Sequence, residues 1–495
     1  MLDRGFRWAF GGLTLLALAA IWTVHHLAVT DLPQHAAQVA LIRRVLTAGP
    51  ESALFELNWL TPYLLGHALA LALTPLLSPW LAVKVVLSLA VVAFPLALLW
   101  LLRQSGGLPQ WSLLGFPLAF GFGYGWGLLN YLLAAPIGLC WLAAALRHQR
   151  EPTRRHAVHA ALWAIATCLG HVLVFGCMLL LISAITLAAG GGWRALGKRL
   201  AAHWLPLPFF LPVLLWNRLH GVSPQPTAWA LSWQRLAELP DVLLGFPVVL
   251  EPSRPPFDLL ARPETLTGLF VLLAPWAVRP RLQWQRGLWL PLPLMLAAYL
   301  LAPEDAADVW ILWPRLGLFI VPCLCLWLRP PLAPSRVGRW APGLIAAAWL
   351  LVLLARAHAF DREAAGIAPV IARAEPNKRL LSLIFAQRSE VVRGMPYVNF
   401  GALYAAERDG FADFSFANLP HFVAHYRPEH VPAADHALAW DPRRFDPRLH
   451  QPYDYFLVRS RRDRGHDLLA GVQPPVQLMA HSGLWWLYGR ANRHY

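Results

Sequence analysis

RWAFGGLTLLALAAIWTVHHLAVTDLPQHAAQVALIRR, residues 7–44, is the stretch whose reading decides the fold. From Trp8 to Val29 it is apolar apart from His25, His26 and scattered threonines. About 20 apolar residues in helix cross a ~30 Å hydrocarbon core, so this run reads as a first membrane span. A cleaved signal peptide would have a shorter apolar core and a small-residue cleavage site. With Arg4 and Arg7 ahead of it, the run reads instead as an uncleaved anchor with its N-terminus in the cytoplasm. The composition then changes abruptly: Asp31, Pro33 and His35 follow within five residues. Asp31 can cap a helix starting at Leu32, with Gln34 completing a capping box and Pro33 in the first turn. Leu32, Val39, Ile42, Val45 and Leu46, with Arg43 and Arg44, read as a helix lying on the membrane surface. Asp31 and His35 share one face of it. Two readings of Asp31 stand here: a helix cap, or a general base at the membrane surface.

Outward from this stretch the chain stays apolar. Of its 495 residues 57% are hydrophobic and 14% charged, against roughly 25% charged in soluble proteins. A net charge of +15 would suit nucleic acid, but its distribution excludes that partner. The Lys and Arg sit in short loops: Arg147–Arg155, Arg194–Arg199, Arg279–Arg286 and Arg329–Arg339. Placing these loops inside gives one consistent topology of about eleven spans. They run over 8–29, 58–77, 82–102, 126–146, 156–170, 172–190, 203–217, 265–278, 287–302, 314–328 and 340–357. Residues 109–125, rich in Gly and Pro, read as a re-entrant or interfacial piece, tolerable only where protein or a wet cavity shields the backbone. The acids then gather on the outer face, together with His35, His171, Arg218, His220, Arg254 and Arg315. Long outer loops carry polar residues anyway, so this grouping alone does not make a site. The five cysteines lie in apolar segments without zinc spacing and read as small buried hydrophobes.

From about Arg356 the character changes. Residues 358–495 contain no span but hold strand-like runs at 379–385, 453–460 and 476–490. The last reads as two strands about a Ser482-Gly483 turn, and 397–410 as a helix closed by Gly410. The predicted architecture is therefore an α-helical polytopic membrane domain over 1–357, with a first outer loop at 30–57. A small extracytoplasmic α/β domain follows over 358–495.

Three motifs carry a resemblance. "TDLPQH" (30–35) is similar to an Asp-x-Pro-x-His variant of the first outer loop in the GT-C superfamily. "GHVLVF" (170–175) resembles the His that opens a later span there, and "HSGLWWLYGR" (481–490) the frequent SGxWxLY ending. GT-C proteins are polytopic membrane glycosyltransferases that use polyprenyl-phosphate-linked sugars. The resemblance covers nearly the whole chain. It implies Asp31 as the catalytic base, or as the residue that binds the metal or acceptor. It also implies a lipid-linked sugar donor, membrane lipids as surroundings and a site at the periplasmic face of a bacterial inner membrane. No second acid directly follows Asp31, in contrast to members with paired first-loop acids, so the sequence leaves a divalent cation (Mg or Mn) open.

Other residues fit such chemistry with a plainer alternative beside each. Arg315 in "VWILWPRLGLF" suits a leaving phosphate, or is an interfacial Arg flanked by Trp310 and Trp313. His171 opens a span on the outer side, where its ring can also simply reach water. Arg218 and His220, and Glu51 and Glu56 in the first loop, are further substrate-binding candidates. Glu304, Asp305 and Asp308 form a loose acidic patch, a cation site or a solvated loop. "GFGYGWG" (121–127) lacks both GxGxxG spacing and a βα unit, and reads as close packing or a re-entrant turn. His421 and His425 have no HExxH around them. The competing classes are a transporter or flippase, which would need broken spans and a polar midplane site, and a non-catalytic scaffold. The oligomeric state is not legible.

Overall fold

The computed structural model describes residues 3–49, 52–204, 231–247, 262–284, 287–306, 310–432, 436–450 and 453–490, with isolated positions between 207 and 229. The chain divides into two compact units: Met1–Thr23 with Leu87–Ala355, and Val24–Val86 with Arg356–Tyr495.

Helices occupy most of the expected spans. Among the described residues four are long and apolar enough to cross a membrane: Arg4–Trp22, Pro79–Ser105, Leu129–Arg150 and Arg336–Ile371. Shorter apolar helices fall at Val172–Ala188, Pro263–Val278, Pro291–Leu301 and Trp313–Trp327. Two spans differ from expectation. The first helix ends at Trp22, not at residue 29, because the backbone N–H groups of His25 and His26 donate to the Asp361 carboxylate at 3.1 and 2.8 Å instead of continuing the helix. The span expected at 58–77 is helical only over Leu64–Leu73, about 15 Å long and too short to cross alone. Pro62 and Pro75 bracket it, and the residue before a proline is steered away from the helical region. Most of the span expected at 203–217 lies outside the described residues.

In the first unit the buried helix Leu129–Arg150 packs against Arg154–Gly170 and Val172–Ala188. Trp141 lies flat on Phe175, with ring centroids 5.3 Å apart. Residues 109–126 form short helical turns rather than a span. Their glycines sit where neighbours approach closely. A Cβ on Gly121 would lie 2.1 Å from the Leu243 carbonyl oxygen, and one on Gly115 2.7 Å from Pro95 Cα.

The second unit is built on a five-stranded sheet. Its order is Phe411–Ala412, Arg379–Ile384, Tyr455–Arg459, Trp485–Arg490, Val476–Ser482. The first three strands are parallel and the last two antiparallel, in the register Leu381↔Phe456↔Tyr488. Alternate residues Leu381, Leu383, Phe456 and Val458 feed one core. The Ser482-Gly483 turn forms as expected, with Gly483 at φ 59°. The helix expected over 397–410 is shorter, Ala402–Arg408, and it closes on Asp409 at φ 53° rather than on Gly410. Gly410 is needed for another reason, since a Cβ there would lie 1.9 Å from the Tyr404 ring.

The helix Leu32–Leu46 belongs to this second unit and is not a surface helix. Every residue from Leu32 to Ala40 is buried. The helix Ala402–Arg408 packs along it, as do Leu64–Leu73 and the short strand Phe55–Leu57. The Arg44 guanidinium stacks 4.1 Å over the Phe411 ring and donates to the carbonyls of Asp409 and Gly410. What reads as a polar face toward headgroups is satisfied by protein instead.

Candidate functional site

The site is built around the start of that helix. Asp31 occupies the position before Leu32, with helical φ and ψ of −95° and −3°, and makes no side-chain cap. The capping box expected with Gln34 does not form. Asp31 Oδ1 instead accepts from Asn399 Nδ2 at 2.8 Å. Gln34 turns inward: its Nε2 donates to the Phe414 carbonyl at 3.1 Å and to Asn399 Oδ1 at 3.3 Å, and its Oε1 accepts from Phe416 N at 3.3 Å. A half-buried carboxylate held by an amide from another element is a poor helix cap. A carboxylate held in one orientation is what a general base requires.

His35, one turn along, is buried, with Nδ1 3.0 Å from His67 Nε2. His67 Nδ1 donates to the Tyr63 carbonyl at 2.9 Å, since a carbonyl can only accept. A neutral His67 therefore presents a lone pair at Nε2, and His35 Nδ1–H donates to it. The Tyr63 carbonyl that accepts from His67 thus fixes the tautomer of both rings.

Glu56 pairs with His425 at 2.8 Å, directly opposite in the antiparallel Phe55–Leu57 and Ala424–Tyr426 ladder. This gives Glu56 and His425 each a structural partner. The segment leading into Asp31 is anchored as well. His26 Nδ1 lies 2.9 Å from Asp361, and Lys84 Nζ donates to the Val24 carbonyl at 2.8 Å.

His171 and Arg315 belong to the first unit. His171 stands between two helices and caps the second, its Nδ1 accepting from Leu173 N at 3.2 Å. Arg315 is buried, with Nε donating to the Ile311 carbonyl at 3.2 Å and Nη2 to the Trp310 carbonyl at 2.6 Å. Tyr131 links the two: its hydroxyl donates to the Arg315 carbonyl, and its ring meets His171 edge-on at 5.5 Å. Sequence reading did not single out Tyr131, His67 or Asn399, and it gave Gln34 only a capping role. All four are buried polar groups in segments otherwise read as packing, and only their partners give them meaning.

Arg218, His220, Glu51 and Asp308 lie outside the described residues. Asp305 accepts from Ile311 N at 3.0 Å and so orders its own loop. Among the described residues no three His, Cys, Asp or Glu side chains stand together as metal ligands.

No protein-family model and no curated protein matches the chain. Solved structures do, among them two of ArnT from Cupriavidus metallidurans. The one bound to undecaprenyl phosphate superimposes with a TM-score of 0.57 over 99% of each chain at 11% identity. The apo structure gives 0.54 over 98% of each chain at 12% identity. At such identity the likeness is one of fold, and it bears out the fold that the resemblance implied.

Proposed function

We propose that this chain is a GT-C-type glycosyltransferase, moving a sugar from a polyprenyl-phosphate carrier to a lipid, glycan or protein acceptor at the periplasmic face of a bacterial inner membrane. The observation that carries the reading is the fold likeness over 99% of the chain to ArnT bound to undecaprenyl phosphate. It is supported by the first-loop carboxylate of Asp31, held by Asn399 rather than spent on a helix cap.

The step is a displacement at the anomeric carbon. The acceptor hydroxyl gives its proton to Asp31, and its oxygen forms the new bond to that carbon. The bond from the carbon to the phosphate oxygen breaks, and the electron pair leaves with polyprenyl phosphate. A carboxylate is needed because the transition state is oxocarbenium-like and the acceptor oxygen gains nucleophilicity as its proton departs. Asp31 is the base. Arg315, with two of its N–H groups fixed by carbonyls, is assigned to the leaving phosphate. His35, His171, Arg218, His220 and Glu56 remain assigned to substrate.

The test is transfer from synthetic undecaprenyl-phosphoryl hexoses and pentoses, read as undecaprenyl phosphate released by the full-length protein in membranes. Asp31→Asn and Asp31→Ala are expected to lower turnover at least ~100-fold at normal expression, the scale of a lost general base. Full transfer in both would reject the base role.

A further inference from the structure

We propose that Asn399 is the positioning residue for the Asp31 carboxylate, and that its amide is locked as a donor by a backbone N–H two links away. The inference rests on the reading of Asp31 as base. An amide side chain can face a carboxylate with either end, and only the NH₂ end is attractive. Here the choice is forced. Phe416 N can only donate, so Gln34 presents Oε1 to it. Gln34 Nε2 must then face the Phe414 carbonyl and Asn399 Oδ1, which leaves Asn399 Nδ2 for Asp31 at 2.8 Å.

The turn that carries Asn399 is built to stay put. Gly401 packs on Ser382, where a Cβ would lie 2.5 Å from both Ser382 Cβ and Oγ. Phe400 stacks on the buried Trp485, with centroids 6.0 Å apart, and Tyr397 meets the same ring edge-on at 5.9 Å. Trp485 belongs to the C-terminal "HSGLWWLYGR" motif. That motif thereby acquires a role: its hairpin is the wall against which the Asn399 turn is pressed. The titratable groups facing this turn and the start of the helix are His35 with His67 on one side. On the other is His26, which stacks on Phe400 and pairs with Asp361.

The assay above is run on the full-length protein with Asn399→Ala, Asn399→Asp and Gln34→Glu. Asn399→Ala should lower kcat ~10–100-fold with KM for the donor within about threefold, as loss of orientation does. Asn399→Asp is nearly isosteric and places a second carboxylate on Asp31, so the acid limb of the pH–rate profile should move up by about one unit or more. Gln34→Glu should draw the Asn399 amide around toward itself and match Asn399→Ala, adding less than about threefold in the double variant. A bond that merely tethers the fold would lower the melting temperature and leave profile and kcat alone. The proposal is overturned if the Asn399 variants keep kcat within about threefold and the acid limb does not move, while Asp31→Asn is dead. Full transfer by Asp31→Asn overturns it together with the base reading, and the two failures are told apart by that one control.

Discussion

Asp413 shows what a single buried charge does in this fold. Its side chain is 2% exposed, and Oδ1 accepts from Ser382 Oγ at 2.9 Å, while Oδ2 has no hydrogen-bond partner among the described residues. Burial pushes its carboxyl up to about 6, against the downward pull of the Ser382 and backbone donors. The sign of the linkage follows. Between pH ~4 and ~6 the folded protein holds a proton that the unfolded chain has released, so this group's contribution to stability falls as pH rises through that window and is level above it. The shift of about two units bounds the effect at ~3 kcal/mol. Asp413→Asn should therefore remove one proton's worth of slope. The melting temperature of the variant minus that of the parent, in detergent, should rise from pH 4 to pH 6 and then stay flat. A difference curve flat throughout would mean that Asp413 titrates normally.

At the scale of elements, glycine against backbone does much of the fitting. The helices Gln234–Leu244 and Pro263–Leu273 touch where a Cβ on Gly268 would lie 2.1 Å from the Pro240 carbonyl oxygen, and Thr265 Oγ1 donates to Asp241 Oδ1 at 2.6 Å across the same seam. Neither backbone can yield to a larger side chain, so Gly268→Val should cost ~1–3 kcal/mol by overpacking, read as a lower unfolding temperature. A variant as stable as the parent would show that the seam is loose. The same elements show what a sequence can announce. Strands at 379–384 and 455–459 and the hairpin at 476–490 were legible as short apolar runs, the last folded about the Ser482-Gly483 turn, signals local to a few residues. The helix at 32–46 was legible as a helix, and its burial was not. Its Gln34, Gln38 and Arg44 look solvent-facing until the carbonyls of Phe414, Ala424 and Asp409, more than 350 residues away, are brought to them. Asp31 stood out because an acid directly after a long apolar run is rare. Asn399 did not, because a lone Asn inside a helix-like run carries no such contrast.

For the whole molecule the decisive question is which side of the membrane carries Asp31 and the sheet. Span counting is a weak route, since several apolar helices are too short to settle the parity. A stronger argument uses one helix. Arg336–Ala364 has 29 residues, about 44 Å, enough to cross once, and it separates Ser335 from everything after residue 364. Arg329, Arg336 and Arg339 lie at its N-terminal end with no acid between them, which predicts that end to be cytoplasmic whatever the number of preceding spans. The sheet that begins at Arg379 is then expected outside. The measurement is thiol labelling in intact cells with a membrane-impermeant maleimide, in a background lacking the five native cysteines. Arg461, whose side chain is 84% exposed, supplies the outer probe and exposed Ser335 the inner one. Arg461→Cys should label in intact cells, and Ser335→Cys only after permeabilisation. The reverse pattern would put the sheet in the cytoplasm with the Asn399 turn and the Asp31 carboxylate it holds, and a periplasmic transfer site would then be untenable.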